Sequence, residues 1–232
     1  MLPENNVKKG FVEDSDFSRL ATEAHELWLR TFLELGYTYG WRRGELLALK
    51  VRQLNFMTRT IRLDPGTTKN REGREVAMTA NVETLLRQTV AGKNPDDFVL
   101  TYASGKPIRD FRRAWWALCV RAGLGEFCRR ACNRPVPKGK KCKACGAVRP
   151  KYSGLIPHDF RRSAAKALRA TGVPESVIMS AGGWKTPAMF RRYGIVSSAD
   201  QRAAMELLER ARAKNSRGIA EVLPSESSKP PQ

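Results

Sequence analysis

Negative charge is what this chain has least of. Its 232 residues hold 23 Asp and Glu against 42 Lys and Arg, with only two histidines. The resulting net charge of +19 and pI of about 10.2 do not fix a fold, but they point to a polyanionic partner, with nucleic acid ahead of an anionic membrane surface. No basic amphipathic helix with bulky apolar residues opposite is evident, which disfavours the membrane reading. There is no apolar run of about 18 residues, so no transmembrane helix is expected. The opening "MLPENNVKKGFVEDSDF" lacks the apolar centre of a signal peptide. A cytoplasmic, nucleoid-associated location is therefore expected, where five cysteines are read as metal ligands or buried thiols before disulfides. A Gly-rich phosphate loop is missing, and the acidic residues form no evident Mg²⁺ cluster. Phosphate chemistry in this chain is expected to need no metal at the reacting centre. No internal repeat is found.

What is present reads as mostly helix with one small sheet, an α+β chain dominated by α. Residues 1 to 16 form a lead-in, with Asp14, Ser15 and Asp16 as caps for "FSRLATEAHELWLRTFLELGY". In that run Leu20, Ala24, Leu27, Phe32 and Leu35 recur at helical spacing, and His25 belongs to no cluster. "GWRRGELLALKVRQL" predicts a short helix with Leu46, Leu47 and Leu49 in the core. The period then changes: Ile61 and Leu63 alternate, as do Val76 and Met78, around a Gly- and Thr-rich centre. This predicts two or three antiparallel strands. Helices follow in "NVETLLRQTVAG", capped by Asn81, and in "IRDFRRAWWALCVRAG", with Phe111, Trp115, Leu118 and Cys119 buried. "ADQRAAMELLERARAK" is a last helix, and residues 215–232 read as a disordered tail.

Five places in the chain could carry chemistry, and each has an ordinary alternative. Arg42 and Glu45, three apart, make an intrahelical ion pair, or a carboxylate orienting a guanidinium that clamps phosphate oxygens. Lys69 is a basic turn residue, or a hairpin lysine delivered to a leaving oxygen. His158 and Arg161 share the first turn of a helix begun after Pro157, as solvated surface or as an anion site at a helix N-terminus. Trp184 is core, or an indole N–H donor whose protonation never changes. Tyr193, after Arg191 and Arg192, is a half-buried ring, or a phenol activated by a base and neighbouring arginines.

Taken together and in this order, these residues resemble the catalytic domain of the tyrosine recombinases, the phage integrase family. "YGWRRGELLALK" resembles the family's first Arg box, in a register that selects Arg42. "GTTKNREGREVAMT" is similar to the hairpin that carries the catalytic lysine, here Lys69. "HDFRRS" resembles the His-x-x-Arg box and selects His158 and Arg161. "GGWKTPAMFRRYGIVS" resembles the final box, with Trp184 in a place more often held by His and the nucleophile at Tyr193. The resemblance runs from about residue 17 to 212, which implies a catalytic domain over 17–214. It implies attack by Tyr193 on a phosphodiester, Arg42, Arg161 and Trp184 on the non-bridging oxygens, Lys69 as acid and His158 as base or proton shuttle. It also implies double-stranded DNA as partner and self-association as a tetramer on it. A type IB topoisomerase shares much of this residue set, and a non-catalytic DNA-binding regulator on the same fold is a third reading.

Two features depart from the family pattern. Only about sixteen residues precede the catalytic region, where the family carries a further helical domain. Residues 126–151 form an insertion in which Cys128 and Cys132 are followed, after nine intervening residues, by Cys142 and Cys145. That spacing predicts a tetrahedral four-thiolate structural zinc site. From Cys128 to Lys151 there are nine Lys or Arg and no acid, so Lys138, Lys140, Lys141 and Lys143 are expected on DNA phosphates.

Overall fold

The first apolar run breaks in two. In the computed structural model, which describes residues 11–64, 73–127, 152–191, 201–202, 204–210 and 212–213, helix α1 (Asp14–Glu23) stops at Ala24 and α2 (Leu27–Tyr39) begins three residues later. Ala24 is fully buried and extended, and its carbonyl accepts from Arg30 Nε at 2.8 Å. The break turns the apolar stripe, so Leu27, which shares the helical spacing of Leu20 and Ala24, is exposed, whereas Trp28, Leu29, Phe32, Leu33 and Leu35 are buried. His25 sits exposed in the break.

Helix starts follow backbone geometry more than the nearest polar residue. Glu13, not Asp14, Ser15 or Asp16, occupies the N-cap of α1. The lead-in is also less loose than its composition suggests: Val12 is buried and its backbone N–H donates to Ser163 Oγ at 2.7 Å. Helix α3 (Arg43–Ala48) is followed by a 3₁₀ turn over Val51–Gln53. For α4 (Ala80–Val90) the cap is Thr79, whose side chain accepts from the Val82 N–H at 3.2 Å, and Asn81 lies inside the helix.

The period-two region folds as expected into an antiparallel sheet, β1 (Leu54–Asn55), β2 (Thr60–Leu63) and β3 (Arg74–Ala77) in that order. Ile61 pairs with Val76 and Leu63 with Arg74. Because side chains alternate along a strand, this register puts Arg74 on the same inward face as Val76. Helix α5 (Arg112–Arg121) buries Trp115, Leu118 and Cys119, with Phe111 at its N-cap. Phe32, Phe111, Trp115 and Phe160 form a chain of edge-to-face contacts, with centroids at 4.8 Å for Phe32–Phe111 and 5.7 Å for Trp115–Phe160. Each buried ring contributes about 1.5–3 kcal/mol through the apolar area it removes from water.

Two short antiparallel strands, β4 (Gly125–Phe127) and β5 (Tyr152–Gly154), precede and follow the cysteine-rich segment. Tyr152 stacks on Trp116 of α5 at 5.5 Å. After them come α6 (Asp159–Ala170), α7 (Glu175–Gly182) and α8 (Pro187–Arg191). Phe160 of α6 belongs to the main core; Ala165, one turn on, joins Ile178, Trp184 and Phe190 in a second, much smaller one. Residues 201–202, 204–210 and 212–213 are helical and belong to a separate unit that begins at Ile195. No helix among the described residues is long and apolar enough to cross a membrane.

Candidate active site

Gly40 makes the first half of the site possible. It ends α2 in the left-handed conformation, φ 65°, with its N–H on the Gly36 carbonyl at 2.9 Å. A Cβ there would meet Ala164 Cβ at 3.0 Å and Arg161 Cα at 3.2 Å, so glycine supplies both the dihedral and the close approach to α6. The chain leaves this turn through Trp41, whose indole N–H donates to the Ala181 carbonyl at 2.9 Å, and reaches Arg42.

Arg42 is the N-cap of α3, and Glu45 reaches back to it twice. Its carboxylate accepts from the Arg42 backbone N–H and from Arg42 Nη1, both at 3.0 Å. The first bond is half of a capping box; the second fixes the guanidinium. Glu45 is 4% exposed, and its Oε2 also accepts from Arg74 Nη2 at 2.7 Å. Burial pushes Glu45 toward its neutral form. The charge of Arg74, with hydrogen bonds from Arg42 and Arg74, outweighs this and holds the carboxyl below its ordinary value.

The second half comes from α6 and α7. His158 is the N-cap of α6 and keeps a solvent-exposed side. Partial desolvation, then the charges of Arg161, Arg162 and Arg42, keep the imidazole below its ordinary pKa, opposed by Asp159. A neutral imidazole beside several guanidiniums is a proton acceptor at neutral pH. The 2.8 Å bond from Arg161 Nη1 to the Gly40 carbonyl shows that the two boxes, more than a hundred residues apart, meet in space.

Arg161 is not the solvated surface arginine of the ordinary reading. It is 1% exposed and donates to three main-chain carbonyls: Gly40 at 2.8 Å and Gly182 at 2.6 Å from Nη1, and Gly183 at 3.2 Å from Nη2. Its guanidinium also lies 4.0 Å from the centre of the Trp184 ring. The physical reason is that α2 and α7 both end in left-handed glycines, leaving carbonyls that need donors, and a buried guanidinium needs acceptors.

Trp184 is a core residue that also faces Arg161. It is 3% exposed, packs edge-on against Phe190 at 5.1 Å and offers its face to Arg161. The pair of glycines before it is explained by geometry. A Cβ on Gly182 would collide with the Trp184 ring, at 1.8 Å from its nearest atom. Gly183 has φ 67°, and a Cβ there would lie 2.4 Å from Arg74 Nη1.

The structure thus brings together Arg42, Glu45, His158, Arg161 and Trp184. Lys69, Tyr193, Cys128, Cys132, Cys142, Cys145, Lys138, Lys140, Lys141 and Lys143 lie outside the described residues. Arg74 was not singled out from sequence. The signal was there: it stands two residues before Val76, on the buried face of a strand, where a charge requires a partner.

The sequence model described as the phage integrase family matches residues 11–200. The integrase of Salmonella phage P22 is 25% identical over 199 residues, which cover 81% of this chain and 44% of the relative. The chain therefore spans less than half the length of that curated relative. Among solved structures, XerA recombinase superposes with a TM-score of 0.62 at 15% identity, over 85% of this chain and 64% of the other. The Tn1549 transposon integrase in complex with circular intermediate DNA gives 0.58 at 15%, over 88% and 67%. The catalytic domain of bacteriophage HP1 integrase gives 0.54 at 17%, over 86% and 95%. At these identities the likeness to solved structures is one of fold: helix-rich, with small antiparallel sheets.

Proposed function

Because the chain belongs to the phage integrase family, we propose that it cleaves and rejoins double-stranded DNA through a phosphotyrosine link. One observation carries the reading: Arg161 Nη1 donates to the Gly40 carbonyl, two residues before Arg42, so the two arginines are brought together, with Glu45 on the Arg42 guanidinium and Trp184 against that of Arg161. In the proposed step the Tyr193 oxygen attacks phosphorus and the bond to the 5′ oxygen breaks. The product is a 3′-phosphotyrosine and a free 5′-hydroxyl. The phenolic proton goes to His158, and Lys69 protonates the leaving oxygen. Arg42 and Arg161 stabilise the charge that grows on the non-bridging oxygens. Arg161 reaches them by exchanging its longest carbonyl bond, to Gly183, for a phosphate oxygen. Rejoining reverses these transfers, with another 5′-hydroxyl as nucleophile. The covalent link conserves the phosphodiester energy.

The test is incubation with a nicked suicide duplex of the element's own attachment region, followed by denaturing electrophoresis. A covalent protein–DNA adduct is expected, and intact free DNA at every protein concentration overturns the reading. Relaxation of supercoils without strand exchange would instead identify a topoisomerase. Exchange between two duplexes calls for several protomers. The exposed Met205, Leu207 and Leu208 of the last helical unit are suited to contacts between copies.

Zinc is a separate proposal that rests on ligand chemistry. Four thiolates in two knuckles suit one tetrahedral Zn²⁺ per chain. Elemental analysis is expected to give one zinc per folded chain, and brief EDTA treatment to leave adduct formation running. Folded protein without zinc sinks the site.

The basic residues of the same segment are proposed to lie on the DNA backbone. Changing Lys138, Lys140, Lys141 and Lys143 together to Ala is expected to weaken binding to every sequence. Each true phosphate contact contributes about 0.9 to the slope of log K against log salt, so that slope flattens. An unaltered slope means that this surface faces away from DNA.

A further inference from the structure

Arg74 is a described cation that the family resemblance leaves without a role, yet its side chain is deeply engaged. It is the first residue of β3, five positions after Lys69 in the chain, and its side chain is 8% exposed. One arm of its guanidinium donates to Glu45 Oε2 at 2.7 Å, the carboxylate whose other oxygen holds Arg42 Nη1. The other arm lies against the left-handed cap of α7, so close to Gly183 that any Cβ there would meet it at 2.4 Å. Its flat face lies over the Trp41 ring at 5.3 Å, and Trp41 in turn donates to the Ala181 carbonyl of α7. Gly73, Arg74, Ser180, Gly183 and Lys185 line a cavity of about 130 Å³ beside it. Arg74 therefore touches the three parts that must agree in register: the strand returning from the hairpin, the helix start that carries Arg42, and the helix end that leads into Trp184.

A single carboxylate cannot fix Arg42 unless it is itself fixed. Glu45 has one partner on its own helix, Arg42, and one from another element, Arg74. Without Arg74 the carboxylate could turn about its own side-chain torsions and carry the Arg42 guanidinium with it. We propose that Arg74 is a positioning residue of strand cleavage, which holds the Glu45 carboxylate in place and thereby fixes the Arg42 guanidinium. The inference rests on the reading of the site given above. Arg74 acts through Glu45 and touches no reacting atom.

The test uses Arg74→Met, which keeps much of the apolar stem over Trp41, and Arg74→Lys, which keeps the charge but not the fork. At saturating DNA, single-turnover cleavage by Arg74→Met is expected to fall about 10-fold, the scale of one lost hydrogen bond to a charged group, with DNA affinity unchanged. Arg74→Lys is expected to recover part of the rate. Arg74→Met added to Glu45→Gln is expected to cost little beyond Glu45→Gln alone, since one removes what the other acts through. The pH profile gives a readout that loss of packing would not move. The charges facing Glu45 are Arg42 on its own helix and Arg74 from β3, and Arg74 is the largest influence that favours ionisation. Removing it leaves burial to dominate, so Glu45 keeps its proton to higher pH. The variant should lose rate as pH falls through a range where wild type is level. His158 lies in the field of Arg42 and titrates in both proteins, so the ratio of the two profiles isolates Glu45.

The ¹³C carboxyl titration of Glu45 in the DNA-free full chain decides the contact without any cleavage. It should move upward in Arg74→Met, and an unmoved titration overturns the inference. So does a rate loss that appears entirely as weaker DNA binding. If wild type forms no adduct at all, the recombinase reading fails by itself, and the carboxyl titration still decides whether Arg74 governs Glu45.

Discussion

Tyr193→Phe is expected to bind DNA as wild type does and to form no covalent adduct. The substitution removes one hydroxyl and keeps the ring, so packing and charge are preserved while the only proposed nucleophile is lost. In the proposed reading the phenol acts beside the cationic residues that the described site brings together. Arg161 and Arg42 supply positive charge, and His158 is held in its neutral form by partial desolvation and by those same charges. A neutral imidazole can accept the phenolic proton; an imidazolium cannot. Adduct formation should therefore rise with pH as the remaining protonated His158 is lost, and should level above its lowered pKa. The adduct assay on wild type and variant, side by side, checks both statements. An adduct of unchanged yield in the Phe variant would falsify the assignment of Tyr193.

Arg42→Lys is expected to reduce cleavage by about 10²-fold or more, the scale set by removal of one transition-state donor. An ammonium keeps the charge but has no fork. In wild type Nη1 is bound to Glu45 at 3.0 Å, which orients the plane and leaves the remaining N–H groups of the fork to be aimed elsewhere. A lysine has a choice between satisfying Glu45 and reaching a phosphate, and the buried carboxylate competes strongly because leaving it unpaired is costly. The capping bond from Glu45 to the backbone N–H at position 42 does not depend on the side chain, so α3 should persist. Single-turnover rate and thermal midpoint, measured together, separate the two contributions. A rate within a few-fold of wild type would make Arg42 a structural partner of Glu45 and nothing more.

The legibility of the chain followed its periodicities. Helix α5 and its buried face were readable because Phe111, Trp115, Leu118 and Cys119 recur at helical spacing with no competing signal. The sheet was readable because Ile61 and Val76 each sit in an alternating run. The break between α1 and α2 was not, because nothing in "TEAHEL" is a helix breaker: Ala24 is extended so that its methyl can be buried and its carbonyl can meet Arg30. The cap of α4 was misplaced by two residues, since Thr79 and Asn81 are both good caps and only the path of β3 into the helix decides between them. In the site, Arg42 with Glu45, and His158 with Arg161, were legible as pairs at fixed spacing along the chain. What could not be read was the third dimension. The grip of Arg161 on carbonyls at positions 40, 182 and 183, and of Arg74 on Glu45, joins residues whose separation in sequence carries no pattern.

The carbonyls that receive Arg161 have a bearing on how the site can fail. A side-chain acceptor disappears with a single codon change, whereas a main-chain oxygen is present whatever residue is encoded. Replacing glycine at 40, 182 or 183 would leave each of these three carbonyls in existence and would alter only where it points. The arginine is thus insured against loss of its partners' chemistry and exposed to loss of their direction, which three residues without side chains maintain.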